Sequence, residues 1–165
     1  MPHRRHPSPR EQGGIAVELA LALPLFLLLI AGVLDLDLLF WEKHVITNAS
    51  REGARAAAKA IDTGTQLQAK MTQSQVRAVV QTYLNQFALK DANGNPLVLD
   101  DSNFSYTWED TASGKILHVA LNQIPCRLSL LPQIKNLFGG NAMSNVLYLS
   151  AQTSMAAEWT TAPSP

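Results

Sequence analysis

The chain contains little charge and almost no cysteine. Its 165 residues include a single cysteine, Cys126, and charged residues make up only 16% of the sequence. One cysteine excludes both an internal disulfide and a zinc cluster built from cysteines. The net charge is zero, whereas proteins that bind nucleic acid need a basic surface to displace counterions from phosphate. The composition therefore argues against a nucleic-acid partner.

The sequence also lacks motifs that carry catalysis. Its histidines have no spacing typical of metal ligands: His3, His6, His44 and His118. The segment 91–96 begins like a calcium loop, but Pro96 replaces the glycine and Ser102 the final glutamate, so it predicts a turn. No nucleophile elbow, phosphate loop or dinucleotide fingerprint occurs. We predict a non-enzymatic protein with no cofactor, no metal and no small-molecule substrate.

The apolar residues are concentrated in one long segment near the N-terminus. Ile15 to Leu34 contains one charged residue, Glu18. A helix of this length rises about 30 Å, the thickness of a bilayer's hydrocarbon core. The segment is longer than the ~7–15 apolar residues of a cleaved secretory signal, and a domain this small has little surface to cover it as a buried helix. We predict a retained transmembrane helix over residues 14–41.

Residues 42–61 are good helix formers without proline and predict that the helix continues past the membrane. Ala49, Gly53 and Ala57 recur every four residues and form a stripe of small side chains. Such a stripe favours tight helix packing. Two alternatives remain open: it meets a helix of another subunit, or it lies on the chain's own domain. Pro24 lies within the helix and is expected to kink it.

Residues 62–165 predict an α+β domain in which a helix is followed by antiparallel strands. A second amphipathic helix is expected over about 66–89, or from a later start if Thr72 and Gln75 form a capping box. The Pro- and Gly-containing segment after residue 121 is expected to be irregular. A small antiparallel sheet should pack on the helices, with strands at 97–100, 104–108, 116–121 and 146–159.

Two segments together resemble the TadE-like (tight-adherence pilus) family of pilin-like proteins. The first is GGIAVELALALP at residues 13–24, followed by the apolar run and GVLD at 32–35. The second is TNASREGARAAA at residues 47–58. A weaker similarity occurs in LSAQTSMAAE at 149–158, and Asp37-Leu38 stands where the family usually has a Gly-Arg pair.

The resemblance implies a precursor whose basic leader is cut after a glycine by a prepilin peptidase, with a glutamate five residues into the mature chain. A cut between Gly13 and Gly14 makes Glu18 the fifth mature residue and residues 1–13 the leader. A cut after Gly14 would make it the fourth. Glycine has no side chain, and we expect extended backbone at this site before the helix begins.

The chemistry of Glu18 fits that implication. An acidic residue in mid-membrane costs roughly 2.5–3.5 kcal/mol on insertion scales, and less near the interface. After cleavage, its carboxylate could pair with the new α-ammonium group of Gly14 in a neighbouring subunit. The alternative is that Glu18 lies in the headgroup zone. Asp35, at the other membrane edge, is expected to be interfacial or to pair with Lys43 or Arg51 of a neighbour.

The sequence as a whole predicts a minor pilin or pseudopilin. It would lie in the bacterial cytoplasmic membrane as a single-pass protein with its C-terminal domain in the periplasm, although arginine and lysine flank the span on both sides and do not decide the orientation. Expected partners are other pilin-like subunits, the prepilin peptidase, the pilus assembly platform and the lipid bilayer. The alternative is an uncleaved single-span scaffold of the assembly machine.

Overall fold

The computed structural model describes residues 9–133 and 144–163, with side chains from Gly13 onward. The elements follow the order of a helix-rich N-terminal part and a later antiparallel sheet, which confirms the predicted α+β class. The element bounds are α1 Pro9–Ala58, β1 Ala60–Asp62, β2 Leu67–Ala69, α2 Gln73–Asn85, β3 Phe104–Thr111, β4 Gly114–Arg127 and β5 Val146–Ala156.

The chain forms two compact units, and α1 contributes to both. The anchor unit contains the described residues 9–37 and 129–133. The folded domain contains residues 38–128 and the described residues 144–163. The hydrophobic core lies in the folded domain, where α1, α2 and the three-stranded sheet bury their apolar side chains.

Helix α1 begins earlier than the sequence predicted. It starts at Pro9, whose fixed φ angle and missing N–H suit the first turn of a helix. Gly13 and Gly14 are therefore helical, and the expectation of extended backbone before the helix is wrong. The helix also continues through Pro24. Intrinsic propensity did not predict this start, because two glycines in a row weaken a helix by roughly 1 kcal/mol each.

Helix α1 ends at Ala58, before the predicted end at residue 61, and distant residues satisfy its last carbonyl groups. The Trp159 Nε1 atom donates to the Ala57 carbonyl at 2.8 Å, and the Glu158 backbone N–H donates to the Ala58 carbonyl at 2.9 Å. The last four carbonyls of a helix have no partner within the helix. The C-terminal segment therefore caps α1.

The short hairpin of β1 and β2 replaces the first part of the predicted second helix. Helix α2 starts later because Thr72 and Gln75 form the capping box: the Thr72 side chain accepts from the Gln75 N–H, and the Gln75 side chain accepts from the Thr72 N–H. This reciprocal pairing satisfies two donors that would otherwise lack partners. Val76, Val80 and Leu84 form its buried face.

The sheet has the antiparallel order β3-β4-β5. The predicted strand at 97–100 is wrong: Leu97 and Leu99 are buried, but their backbone is bonded by the Gln81 side chain, which donates to the Leu97 carbonyl and accepts from the Leu99 N–H. Strand β4 is longer than predicted and includes Pro125. Proline fits there because β3 begins at Phe104, opposite Leu121, so one edge of β4 has no β3 partner beyond that point.

Candidate functional site: the exposed anchor and its polar residues

The anchor part of α1 presents its apolar side chains to the surroundings. The helix Gly13–Ala58 is long and apolar enough to cross a bilayer: its most apolar 18-residue window has a mean hydropathy of 2.6, and only 6% of that window is buried. From Gly13 to Ile30 every residue except the half-buried Pro24 is exposed. An exposed apolar surface of this length needs an apolar partner, and lipid acyl chains provide one.

Glu18 is the one charged residue of this apolar surface, and its side chain is exposed. Within the part of the chain that the structure describes, no ion pair or hydrogen bond holds its carboxylate. Gly14 lies four residues earlier in the same helix. Residues four apart share a helix face, so Glu18 and the backbone of Gly14 lie on the same side of α1.

Packing requires glycine at one position of α1 but not at two others. A Cβ built on Gly13 or Gly14 would meet nothing within 4 Å. A Cβ on Gly53 would overlap Val80 Cγ2 and lie 3.3 Å from Val119 Cγ1. Gly53 is therefore required by the packing of the folded domain, whereas nothing in the described packing requires glycine at positions 13 and 14.

The stripe of small residues packs within its own domain. Ala49 and Ala57 are completely buried, and Gly53 lies against α2 and β4. Of the two alternatives left open by the sequence, the structure contains the contact with the chain's own domain. In this conformation the stripe is not exposed for a helix of another subunit.

Asp35 is buried, with only 2% of its surface exposed. Its carboxylate accepts hydrogen bonds from the backbone N–H groups of Ser129, Leu130 and Leu131. The sequence does not predict these partners, since nothing in the local sequence relates position 35 to position 130. Lys43, one of the residues expected to pair with Asp35 of a neighbour, donates to the Ser150 carbonyl instead.

Five apolar residues surround Pro132 in the sequence, a pattern that predicts either packing into the core or an exposed contact patch, and the structure describes two of them. Leu130 is 38% exposed, and Leu131 is half-buried. The other members, Ile134, Leu137 and Phe138, lie outside the described residues.

Several polar residues of the folded domain have hydrogen-bond partners within that domain. The Asp91 carboxylate accepts from the backbone N–H groups of Asn93 and Asn95, so the segment is a turn, as predicted. His118 Nδ1 lies 2.7 Å from Ser154 Oγ on the neighbouring strand. Burial raises the pKa of the Cys126 thiol, and the Glu42 side chain beside it raises it further. Among the described residues, no group of three or more potential metal ligands occurs.

The exposed apolar helix and the small α+β domain define a membrane-anchored protein with one candidate span among the described residues. Residues 13–55 match the family model of the TadE-like protein, which confirms the resemblance predicted from the sequence. The matched residues all lie in α1, so the similarity to this family covers that helix and none of the elements that follow it. Neither a curated protein nor a solved structure matches the chain.

Proposed function

We propose that the protein is a minor pilin or pseudopilin of a tight-adherence pilus, matured by removal of residues 1–13. The observation that carries this proposal is the exposed Glu18 in the otherwise apolar segment 15–34, four residues after the second of two glycines that no packing contact explains. A prepilin peptidase that cuts between Gly13 and Gly14 would leave Glu18 as the fifth residue of the mature chain.

Cleavage would create an α-ammonium group on the same face of α1 as the Glu18 carboxylate. Each charge is unfavourable in a water-poor environment, and pairing between neighbouring subunits relieves both. The pair forms only when the subunit enters the assembly, so it favours assembly over the isolated membrane-bound chain. The assembly partners are other pilin-like subunits and the assembly platform in the membrane.

The proposed location is the bacterial cytoplasmic membrane, with the folded domain on the periplasmic side. The small, buried stripe of α1 is occupied by the chain's own domain. Contacts between subunits would therefore be made by the exposed anchor helix and by the outer surface of the domain.

The mass of the N-terminus in membrane-extracted protein tests the cleavage. We expect a chain that starts at Gly14, and a Gly13→Leu variant that keeps its leader because the larger side chain blocks the peptidase. Gly14→Ala is the matched control, since it changes only the first mature residue and should still be cut. A wild-type chain that retains its arginine-bearing leader would contradict the proposal.

A Glu18→Gln variant tests the pairing. We expect normal membrane insertion but a loss of most of the incorporation into pili, measured as the ratio of sheared-pilus to membrane-bound protein. Glu52→Gln is the matched control, because it makes the same change at an exposed position of the same helix within the folded domain. Equal incorporation of the two variants would rule out the pairing mechanism.

An uncleaved single-span scaffold of the assembly machine is the second candidate. The observation that favours it is the continuous helix through Gly13 and Gly14, which a peptidase would have to unwind. Glycine lowers the cost of unwinding, so the helix does not prevent cleavage. A scaffold would begin at Met1 or Pro2 and stay in the membrane fraction.

A further inference from the structure

Asp35 is a buried residue in a part of α1 whose other side chains are mostly exposed. Between Gly13 and Asp37 only Ala31 and Asp35 are buried, and they lie one helical turn apart. The neighbouring side chains are apolar and exposed: Val33, Leu34 and Leu36. A carboxylate is thus enclosed at the end of the apolar run, where the helix is otherwise suited to lipid.

The segment that encloses Asp35 supplies backbone donors. Asp35 Oδ1 accepts from the N–H groups of Ser129 and Leu130, both at 3.0 Å, and Oδ2 accepts from Leu130 at 3.1 Å and Leu131 at 2.7 Å. The next residue, Pro132, has no N–H. The carboxylate and the three donors therefore satisfy one another without water.

This arrangement suits a membrane interface better than open water. An unsatisfied backbone group in a bilayer costs several kcal/mol, whereas in water it needs no protein partner. Residues 128–132 read Leu-Ser-Leu-Leu-Pro and carry no charge. A Cβ built on Gly32 would lie 3.9 Å from Leu131 Cδ2, so Leu131 lies beside the last turn of the apolar run.

We propose that Ser129–Gln133 is a second membrane contact, lying in the interface beside the anchor, touching lipid through Leu130 and held there by the Asp35 carboxylate. Leu130 exposes 38% of its surface, and its backbone N–H is bonded to Asp35, whose neighbours Leu34 and Leu36 are also exposed. The proposal rests on the membrane insertion assumed in the proposed function, but on neither leader cleavage nor Glu18.

Nitroxide labels on the full-length protein in phosphatidylcholine–phosphatidylglycerol vesicles test this contact. In a Cys126→Ala background, a label at Leu130→Cys is compared with Leu23→Cys as a lipid reference and Val98→Cys, 70% exposed in the folded domain, as a water reference. The measured quantity is the ratio of collision rates with oxygen, which concentrates in lipid, and with a water-soluble nickel chelate.

We expect the collision ratio at position 130 to be closer to the ratio at position 23 than to that at position 98. Asp35→Ala should shift it to the water value, because the backbone donors then need water. Asp37→Ala is the matched control, since it removes a neighbouring exposed carboxylate and should leave the ratio unchanged.

Three results would overturn the proposal. A water-like ratio at 130 in the wild type excludes the contact, and low collision rates with both reagents mean that protein rather than lipid covers Leu130. A lipid-like ratio that survives Asp35→Ala excludes the role of Asp35. Failure of membrane insertion itself is distinguishable, because the label at position 23 would then report water.

Discussion

The two parts of α1 are one continuous helix in two different environments. In the anchor unit, from Gly13 to Asp37, nearly every side chain is exposed, and what most of these residues share is high hydropathy. In the folded domain, from Leu38 to Ala58, Ile46 and Ala54 are completely buried, and side-chain size matters at each buried position. The same secondary structure therefore tolerates very different substitutions in its two parts.

The reactivity of Cys126 offers a way to measure how substitutions in either part of α1 change the stability of the folded domain. Cys126 is 3% exposed, and burial raises the pKa of its thiol, so it should react with thiol reagents only after the domain unfolds. The fraction labelled at each urea concentration, on the full-length protein in detergent, then reports the stability of the folded domain.

Trp159→Ala should have the largest effect. Trp159 is 1% exposed, and its Nε1 atom caps the Ala57 carbonyl, so the variant should lose about 3–5 kcal/mol of the domain's free energy of unfolding. Trp41→Ala is the control, because Trp41 is 45% exposed and its loss should lower the free energy of unfolding less. Equal losses in the two variants would contradict the role of Trp159 as the cap of α1.

Gly53→Ala and Gly32→Ala make the same change in the two parts of the helix. At position 53 the added methyl group overlaps Val80, and overpacking costs about 1–3 kcal/mol, offset by up to about 1 kcal/mol of helix propensity. At position 32 the nearest atom is at an ordinary contact distance, so the urea midpoint should not fall.

A second substitution tests why Gly53→Ala lowers the free energy of unfolding. Val80→Ala removes the methyl group that the new side chain would overlap, so in the Gly53→Ala background it should be less destabilising than in the wild type. Additive losses would mean that the overlap is not the cause.

Thr72→Ala should have the smallest effect, a loss of about 1 kcal/mol, because it removes the acceptor that caps α2. Thr82→Ala is a suitable control within the same helix, where the hydroxyl donates only to the Ala78 carbonyl. The urea midpoints of both variants should be compared, and a larger loss at position 82 would contradict the capping role.

The features that the sequence predicted depend on neighbours along the chain. The apolar run, the capping box of Thr72 and Gln75, and the alternating aromatics of β3 each involve residues close in sequence. The family resemblance was likewise carried by short segments and was confirmed over residues 13–55. The cleavage site and the assembly role of Glu18 stay predictions.

The features that the sequence did not predict depend on distant residues. In the segment 97–100, where a strand was expected, the Gln81 side chain donates to the Leu97 carbonyl and accepts from the Leu99 N–H. Asp35 finds its donors 94 to 96 residues away. No local pattern contains this information, since the pairing exists only after the fold has brought the segments together.

The bond between Trp159 and Ala57 also has a consequence for the order of folding. It joins residues 102 positions apart, so α1 receives its cap only after the ribosome has synthesised Trp159. The exposed apolar stretch from Gly13 to Ile30 needs no such distant contact and can enter the translocation channel first. Insertion would then precede completion of the domain during synthesis, which keeps the unfinished apolar core tethered at the membrane while translation continues.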